Sequence, residues 1–175
     1  HHIRLWAMIE TPHAIINATA IAATVKDVET RLAGFVMGTN DLARETRAKL
    51  LPGRAPMLPW LANTVLAAHA FGIDIVDGVY SDIADAEGFR RECGQGRDMG
   101  FDGKTLIHPS QIAPCNAAFS PSEAEVAQAR KIIAVFDLPE NRAKGVVQIE
   151  GRMFERMHAD AARRLVAIAE AIEEE

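Results

Sequence analysis

Short apolar runs, each ending in polar residues, alternate with segments of helical period along the first two thirds of the chain. Leu5–Ile9 (LWAMI) ends at Glu10, and Phe35–Met37 ends at Gly38, Thr39, Asn40 and Asp41. Residues 73–79 (IDIVDGV) carry Asp77 and lead to Tyr80, and residues 104–107 lead to His108, Pro109, Ser110 and Gln111. A continuous apolar run bounded by helical sequence predicts a strand buried on both faces of a parallel sheet. Thr11-Pro12 predicts a helix start, with apolar positions at helical spacing to about Val28. Trp60 to Phe71 predicts a second helix, closed by Gly72. Ile83 to Met99 predicts a third, weakened by Gly88, Gly94 and Gly96. The stretch from Arg44 to Pro59, rich in Arg, Lys, Pro and Gly, predicts a long loop of the kind that usually serves function.

Strand and helix alternating in this way are βα units, and four of them make half of an eight-stranded barrel. From Ser120 the rhythm stops. Ser120-Pro121-Ser122-Glu123 predicts a helix with Ser120 at the cap, continuing to about Phe136. Residues 146–149 predict a short strand or extended segment. A last helix from Glu155 places Ala162, Leu165, Val166, Ala169 and Ile172 on one face. The expected organisation is therefore part of a β/α barrel over residues 1–119 and a helical segment over 120–175, a lid or subunit contact.

Composition narrows the partners. A net charge of −5 and a pI near 5.7 provide no basic field for nucleic acid. No apolar run approaches the roughly 20 residues of a membrane helix, and no secretory leader pattern opens the chain. Cys93 and Cys115 have neither the numbers of a disulfide framework nor CxxC spacing, which predicts a reduced, cytoplasmic protein. Each lacks an evident base, so neither is taken as a nucleophile.

In parallel α/β sheets the chemistry lies beyond the carboxyl ends of the strands, so Glu10 and Asp41 are expected at one rim. Either carboxylate alone fits a helix cap as well as a metal ligand. The pair at one rim favours a hard divalent cation, with water or substrate oxygen in the other positions. His108, at the end of the fourth strand, is a candidate for chemistry or for a structural hydrogen bond. Lys104 points to a ligand anion or to solvent. Arg44, Arg47, Lys49 and Arg54 suit an anionic ligand or a solvated loop. No GxGxxG or GxxxxGK[ST] motif occurs, so neither a dinucleotide site nor a P-loop is supported.

The strings IETP, GTNDLA, DGVY, GFDGKTLIHPSQI, FSPSEAEV and GRMFERMH resemble the citrate lyase β-subunit-like branch of the HpcH/HpaI aldolase superfamily. The branch includes malyl-CoA and citramalyl-CoA lyases and the (3S)-malyl-CoA thioesterase. The resemblance covers nearly the whole chain. It implies an α/β fold, the C-terminal portion of a (β/α)8 TIM barrel with a C-terminal helical lid. It implies Mg2+, with Mn2+ as the substitute cation, held by Glu10 and Asp41, and a homo-oligomer whose lid serves a neighbouring subunit. Gly38, Thr39, Asn40, Asp77, Lys104, Ile107, His108 and Pro109 are the implied substrate or CoA contacts. Glu155 stands where the lyases carry a catalytic aspartate, one methylene longer. The implied activity is Mg-dependent carbon–carbon cleavage of a 3-hydroxyacyl-CoA such as malyl-CoA or β-methylmalyl-CoA. Its alternatives are hydrolysis of (3S)-malyl-CoA, a citrate lyase β subunit, or a non-catalytic CoA-thioester-binding subunit. The family's barrel begins earlier, with an arginine and an FDLED-like motif, so the chain is expected to be a fragment that starts near the fifth strand.

Overall fold

The computed structural model describes residues 3–174, which divide into two compact units between Phe119 and Ser120. The first is built on a parallel sheet of four strands in the order β1 (Leu5–Ile9), β2 (Leu32–Met37), β3 (Asp74–Asp77) and β4 (Gly103–Lys104). Register aligns Ile9 with Met37, Val36 with Val76 and Asp77 with Lys104. The residues that follow, Glu10, Gly38 and Gly78, therefore leave the sheet at one rim. Phe35, Met37, Ile75, Leu61 and Val65 form the core between the sheet and its helices, with α2 (Ala18–Ala23) packed on α4 (Leu58–Phe71).

β1 is not buried on both faces: Leu5, Trp6 and Met8 are 50%, 46% and 54% exposed. It stands at one end of the strand order. The helix expected over residues 11–28 breaks at Asn17 into α1 (Pro12–Ile16) and α2, with a 3-10 turn after it. Asn17 turns its side-chain amide onto the His13 carbonyl, 2.8 Å away, a local bond that competes with the helix ladder. The stretch expected as loop from Arg44 begins inside a helix, α3 (Thr39–Thr46), which Arg47 ends in the left-handed region at φ 61°. The fourth strand is only Gly103–Lys104, because Thr105 already bonds back to the Asp77 carbonyl through both its N–H and its hydroxyl.

α5 (Ala86–Met99) and α6 (Ile112–Phe119) complete the first unit. They enclose a second small core of Phe89, Cys93 and Cys115.

The second unit joins α7 (Glu123–Asp137), a hairpin of β5 (Val146–Ile149) and β6 (Arg152–Glu155), and α8 (Arg156–Glu173). The cap of α7 is Ser122 rather than Ser120: its hydroxyl accepts from the Glu125 N–H while Glu125 accepts from the Ser122 N–H, a reciprocal capping box. The hairpin turns on Glu150 and Gly151, both at positive φ, as a two-residue turn matched to strand twist requires. Its core is Ala129, Ile132, Phe136, Val147, Ile149, Ala159 and Ala162.

Candidate active site at the carboxyl rim of the sheet

The strand ends interlock through glycines. The Gly38 N–H donates to the Ile9 carbonyl at 3.0 Å, which seats Gly38 directly against Glu10. A Cβ added to Gly38 would stand 2.3 Å from the Glu10 Cβ and 2.9 Å from its carboxylate oxygen, so Glu10 fills the space a side chain would take. Gly78 is closed in the same way by Thr39, whose hydroxyl would lie 2.4 Å from such a Cβ. Asn40 reaches across to Ser81 at 3.2 Å. Asp41 lies in the first turn of α3, where a carboxylate suits the helix dipole, and is paired with Arg44 at 2.8 Å. Both side chains of that pair are substantially exposed, so it is weak enough to open for a ligand.

Among the described residues no group of three His, Cys, Asp or Glu side chains stands together as a complete metal cage. Glu10 and Asp41 are a pair of hard oxygen donors on adjacent strand ends. Such a set fits a Mg2+ ion that keeps water or substrate oxygen in its remaining positions.

The side chains of Asp77 and Lys104 are buried away from solvent. Asp77 is fully buried; both its oxygens accept from the Arg54 Nη1 at 2.7 Å, one from the Gly78 N–H at 2.8 Å and one from the Lys104 Nζ at 3.1 Å. Lys104 Nζ also donates to Glu92 at 2.7 Å, and Arg54 Nε to Gln95 at 2.8 Å. Two cations and two carboxylates thus tie the turn at Arg54, the end of β3, β4 and α5 together. The expectation that Asp77 and Lys104 touch substrate gives way to an internal ion network. Breaking one buried partner leaves the others uncompensated.

Beside this network a cavity of about 430 Å3 opens at the rim, lined by Thr39, Asn40, Leu51, Arg54, Tyr80 and Asp85 among others. The Tyr80 hydroxyl donates to Asp85 at 2.7 Å, and Asp85 caps α5 by accepting from the Gly88 N–H at 2.8 Å. The bond to Asp85 and then burial push the Tyr80 phenol up to about 12. The same hydroxyl, followed by the Gly88 N–H, holds Asp85 below the usual carboxylate range.

His108 caps a short 3-10 turn, its Nδ1 facing the Ser110 N–H at 3.2 Å and the Ser110 hydroxyl at 2.8 Å. Ile107 is half exposed and its N–H donates to Gln111, whose amide donates to the Tyr80 carbonyl at 3.0 Å. Ile107, His108 and Pro109 are therefore held against the segment that follows β3. Glu155 belongs to the second unit, where it caps α8: its carboxylate accepts from the His158 N–H, and the His158 Nδ1 accepts from the Glu155 N–H at 2.8 Å. Arg54, Glu92, Tyr80 and Asp85 are the site residues that sequence pattern alone did not single out as partners.

Residues 1–109 match the model of the HpcH/HpaI aldolase/citrate lyase family. The chain belongs to that family. Over 168 residues it is 51% identical to the (3S)-malyl-CoA thioesterase of Cereibacter sphaeroides, covering 96% of this chain and 57% of that protein. It is 34% identical over 166 residues to citrate lyase subunit beta of Escherichia coli (strain K12), covering 95% of this chain and 54% of that one. The chain thus spans a little over half the length of these curated relatives. Among solved structures, CitE from Mycobacterium tuberculosis in complex with magnesium, acetoacetate and coenzyme A superposes with a TM-score of 0.75 at 28% identity, over 96% of this chain and 61% of that one. A citrate lyase from Burkholderia xenovorans LB400 superposes at 0.82 with 18% identity, over 99% of this chain and 55% of that one, a likeness of fold. The fold class is the one expected, a portion of the α/β barrel of this family followed by C-terminal helices. Among the described residues no helix is long and apolar enough to cross a membrane.

Proposed function

We propose that the chain carries the metal-holding rim of a Mg-dependent enzyme that hydrolyses a malyl-CoA-like thioester, the carbon–carbon lyase reaction being the second reading. The single observation that carries the proposal is the seating of Glu10 against Gly38 at the strand end beside the one that delivers Asp41. The 51% identity to a thioesterase, against 34% to citrate lyase subunits, favours hydrolysis. Bound there, Mg2+ supplies Lewis acidity toward a substrate oxygen.

The protein's own residues orient and enclose. Glu10 is fixed by its packing on Gly38, so its carboxylate needs little reordering to bind. Asp41, paired with the exposed Arg44, would be the second carboxylate to hold the ion. Thr39 and Asn40 open the cavity wall beside these carboxylates, and Leu50, Leu51 and Val79 give that cavity an apolar side for an acyl-thioester arm. Ile107, His108 and Pro109 are proposed as further contacts to the CoA moiety, and Glu155 as the carboxylate that the second unit contributes, to a neighbouring subunit in a homo-oligomer.

The test gives the full-length protein Mg2+ and (3S)-malyl-CoA and follows free CoA thiol and glyoxylate in parallel. Thiol without glyoxylate is the expected result. Glyoxylate without thiol establishes the lyase reading instead. Neither product, or turnover undiminished by Asp41→Ala, overturns the proposal.

A further inference from the structure

Residues 47–57 join α3 to α4 with no helix or strand of their own, and bring Leu50, Leu51 and Arg54 to the wall of the rim cavity. The chain reverses there through two successive left-handed residues, Gly53 at φ 77° and Arg54 at φ 55°. Glycine adopts that region freely, whereas arginine does so only where its surroundings hold it. Two elements hold it here. Asp77, at the end of β3, takes the Arg54 Nη1 at 2.7 Å. Gln95, on α5, accepts from the Arg54 Nε on its Oε1 and donates its Nε2 to the Gly53 carbonyl, both at 2.8 Å. One side-chain amide thus grips the backbone of one residue and the side chain of the next.

The Asp77 pair anchors only the far end of the arginine side chain. The Gln95 bond to Gly53 acts on the backbone itself, and the Arg54 N–H donates to the Leu51 carbonyl at 2.8 Å, so what fixes Gly53 and Arg54 also fixes Leu51. Leu50 and Leu51 are 50% and 47% exposed, and core packing gives them little other support. Val79 and Tyr80, elsewhere on the cavity wall, follow β3 directly and are braced by the Gln111 amide on the Tyr80 carbonyl at 3.0 Å. One part of the wall is therefore set by the sheet and the other by Gln95.

On the thioester reading proposed above, we infer that Gln95 is a positioning residue: it sets the width of the rim cavity and, through that width, the choice between acyl groups of the thioester substrate. It acts through the loop, because its Oε1 and Nε2 are both engaged in the wall. Malyl and β-methylmalyl groups differ by one methyl, and an apolar wall that yields loses its power to tell them apart. A loosened wall weakens binding in the ground and transition states alike, so KM rises while kcat holds.

The experiment uses the full-length protein as wild type, Gln95→Met and Gln95→Glu. Methionine keeps the length of the side chain without its donor or acceptor, and glutamate keeps the acceptor for Arg54 but loses the donor to Gly53. Hydrogen exchange without substrate reads the loop; product release from malyl-CoA and β-methylmalyl-CoA with Mg2+ reads the site. In both variants the Arg54 and Met57 amides should exchange roughly tenfold faster while those within α4 and β3 stay as they are. KM for (3S)-malyl-CoA should rise roughly tenfold with kcat within about twofold, and the preference between the two thioesters should move toward one. Unchanged exchange in either folded variant overturns the inference. So does faster exchange with KM and preference unchanged, a fall in kcat alone, or a wild type that does not discriminate. A wild type that turns over neither thioester fails the thioester reading and the specificity role with it, and the substrate-free exchange keeps that failure distinct from a loop Gln95 does not hold. If one variant does not fold by circular dichroism, the other decides.

Discussion

Tyr80 is the chain's single tyrosine, so its titration can be read directly. Its phenol is raised to about 12 by Asp85, against about 10 for an unfolded chain. A raised pKa favours the protonated form, so this contribution is complete below about pH 10 and is lost as pH rises through about 12. Absorbance near the phenolate band should show the high midpoint in native protein. Asp85→Ala should move it toward 10; an unmoved midpoint would refute the Asp85 cause. Asp85 has the opposite sign: its lowered pKa gives stability above the ordinary carboxylate range that is lost on acidification through its folded value. A harsher substitution is Asp77→Asn, which leaves Arg54 and Lys104 buried with Glu92 as the remaining countercharge. It should cost about 3–5 kcal/mol, read from the urea midpoint. The resemblance implied ligand contacts for Asp77 and Lys104, and the ion network that holds them was not legible, because the partner, Arg54, lies in a turn whose path no local pattern specifies. The two cysteines show the same limit, since contact between α5 and α6 is a property of packing and not of spacing.

At the scale of elements the apolar runs marked the first three strands of the first unit, because a strand covered on a sheet face leaves a compact signal, while the run expected as the fourth, residues 104–107, overlaps β4 only at Lys104. Four βα units leave two open sheet edges, and β1 forms one of them. α3 escaped because its sequence, TNDLARET, is polar around a narrow buried stripe of Leu42 and Ala43. β6 escaped because Arg152–Glu155 has one half-buried residue, Phe154, among exposed ones. The start of α7 lies two residues beyond the expected cap: Ser120 and Ser122 both carry the cap chemistry and each has a Glu three residues on, but only Ser122 closes the reciprocal box, with Glu125. Ser122→Ala should remove the acceptor of the Glu125 N–H and lower the stability of the second unit by about 1 kcal/mol. Ser120→Ala should leave the unfolding midpoint unchanged, and equal effects would refute the assignment.

For the whole molecule, the separate core of the second unit predicts separable folding. The proposal that residues 120–174 are a unit in their own right is tested by expressing them alone. Far-ultraviolet circular dichroism should show helix with a cooperative thermal transition, though a shallow one at this size. A featureless melt would show that the α7–α8 core needs the rest of the chain. At the rim, magnesium titration followed by calorimetry should lose its heat in Glu10→Gln or Asp41→Asn while thermal stability holds. Binding retained in both variants would move the ion elsewhere.

The interlocked strand ends also decide what this sequence is free to become. A methyl group at position 38 collides with the Cβ of Glu10, and one at 78 collides with Thr39 and lies 3.0 Å from the Met37 carbonyl. In a saturation library both columns should admit glycine and little else, because the obstructing atoms are next to the backbone and have nowhere to swing. On the proposed function, drift toward new substrates is then steered outward, to Leu50, Leu51 and Val79 on the cavity wall, where side chains can change size without parting the strands. The chemistry is fixed by what two glycines leave out, and its specificity is free to wander around them.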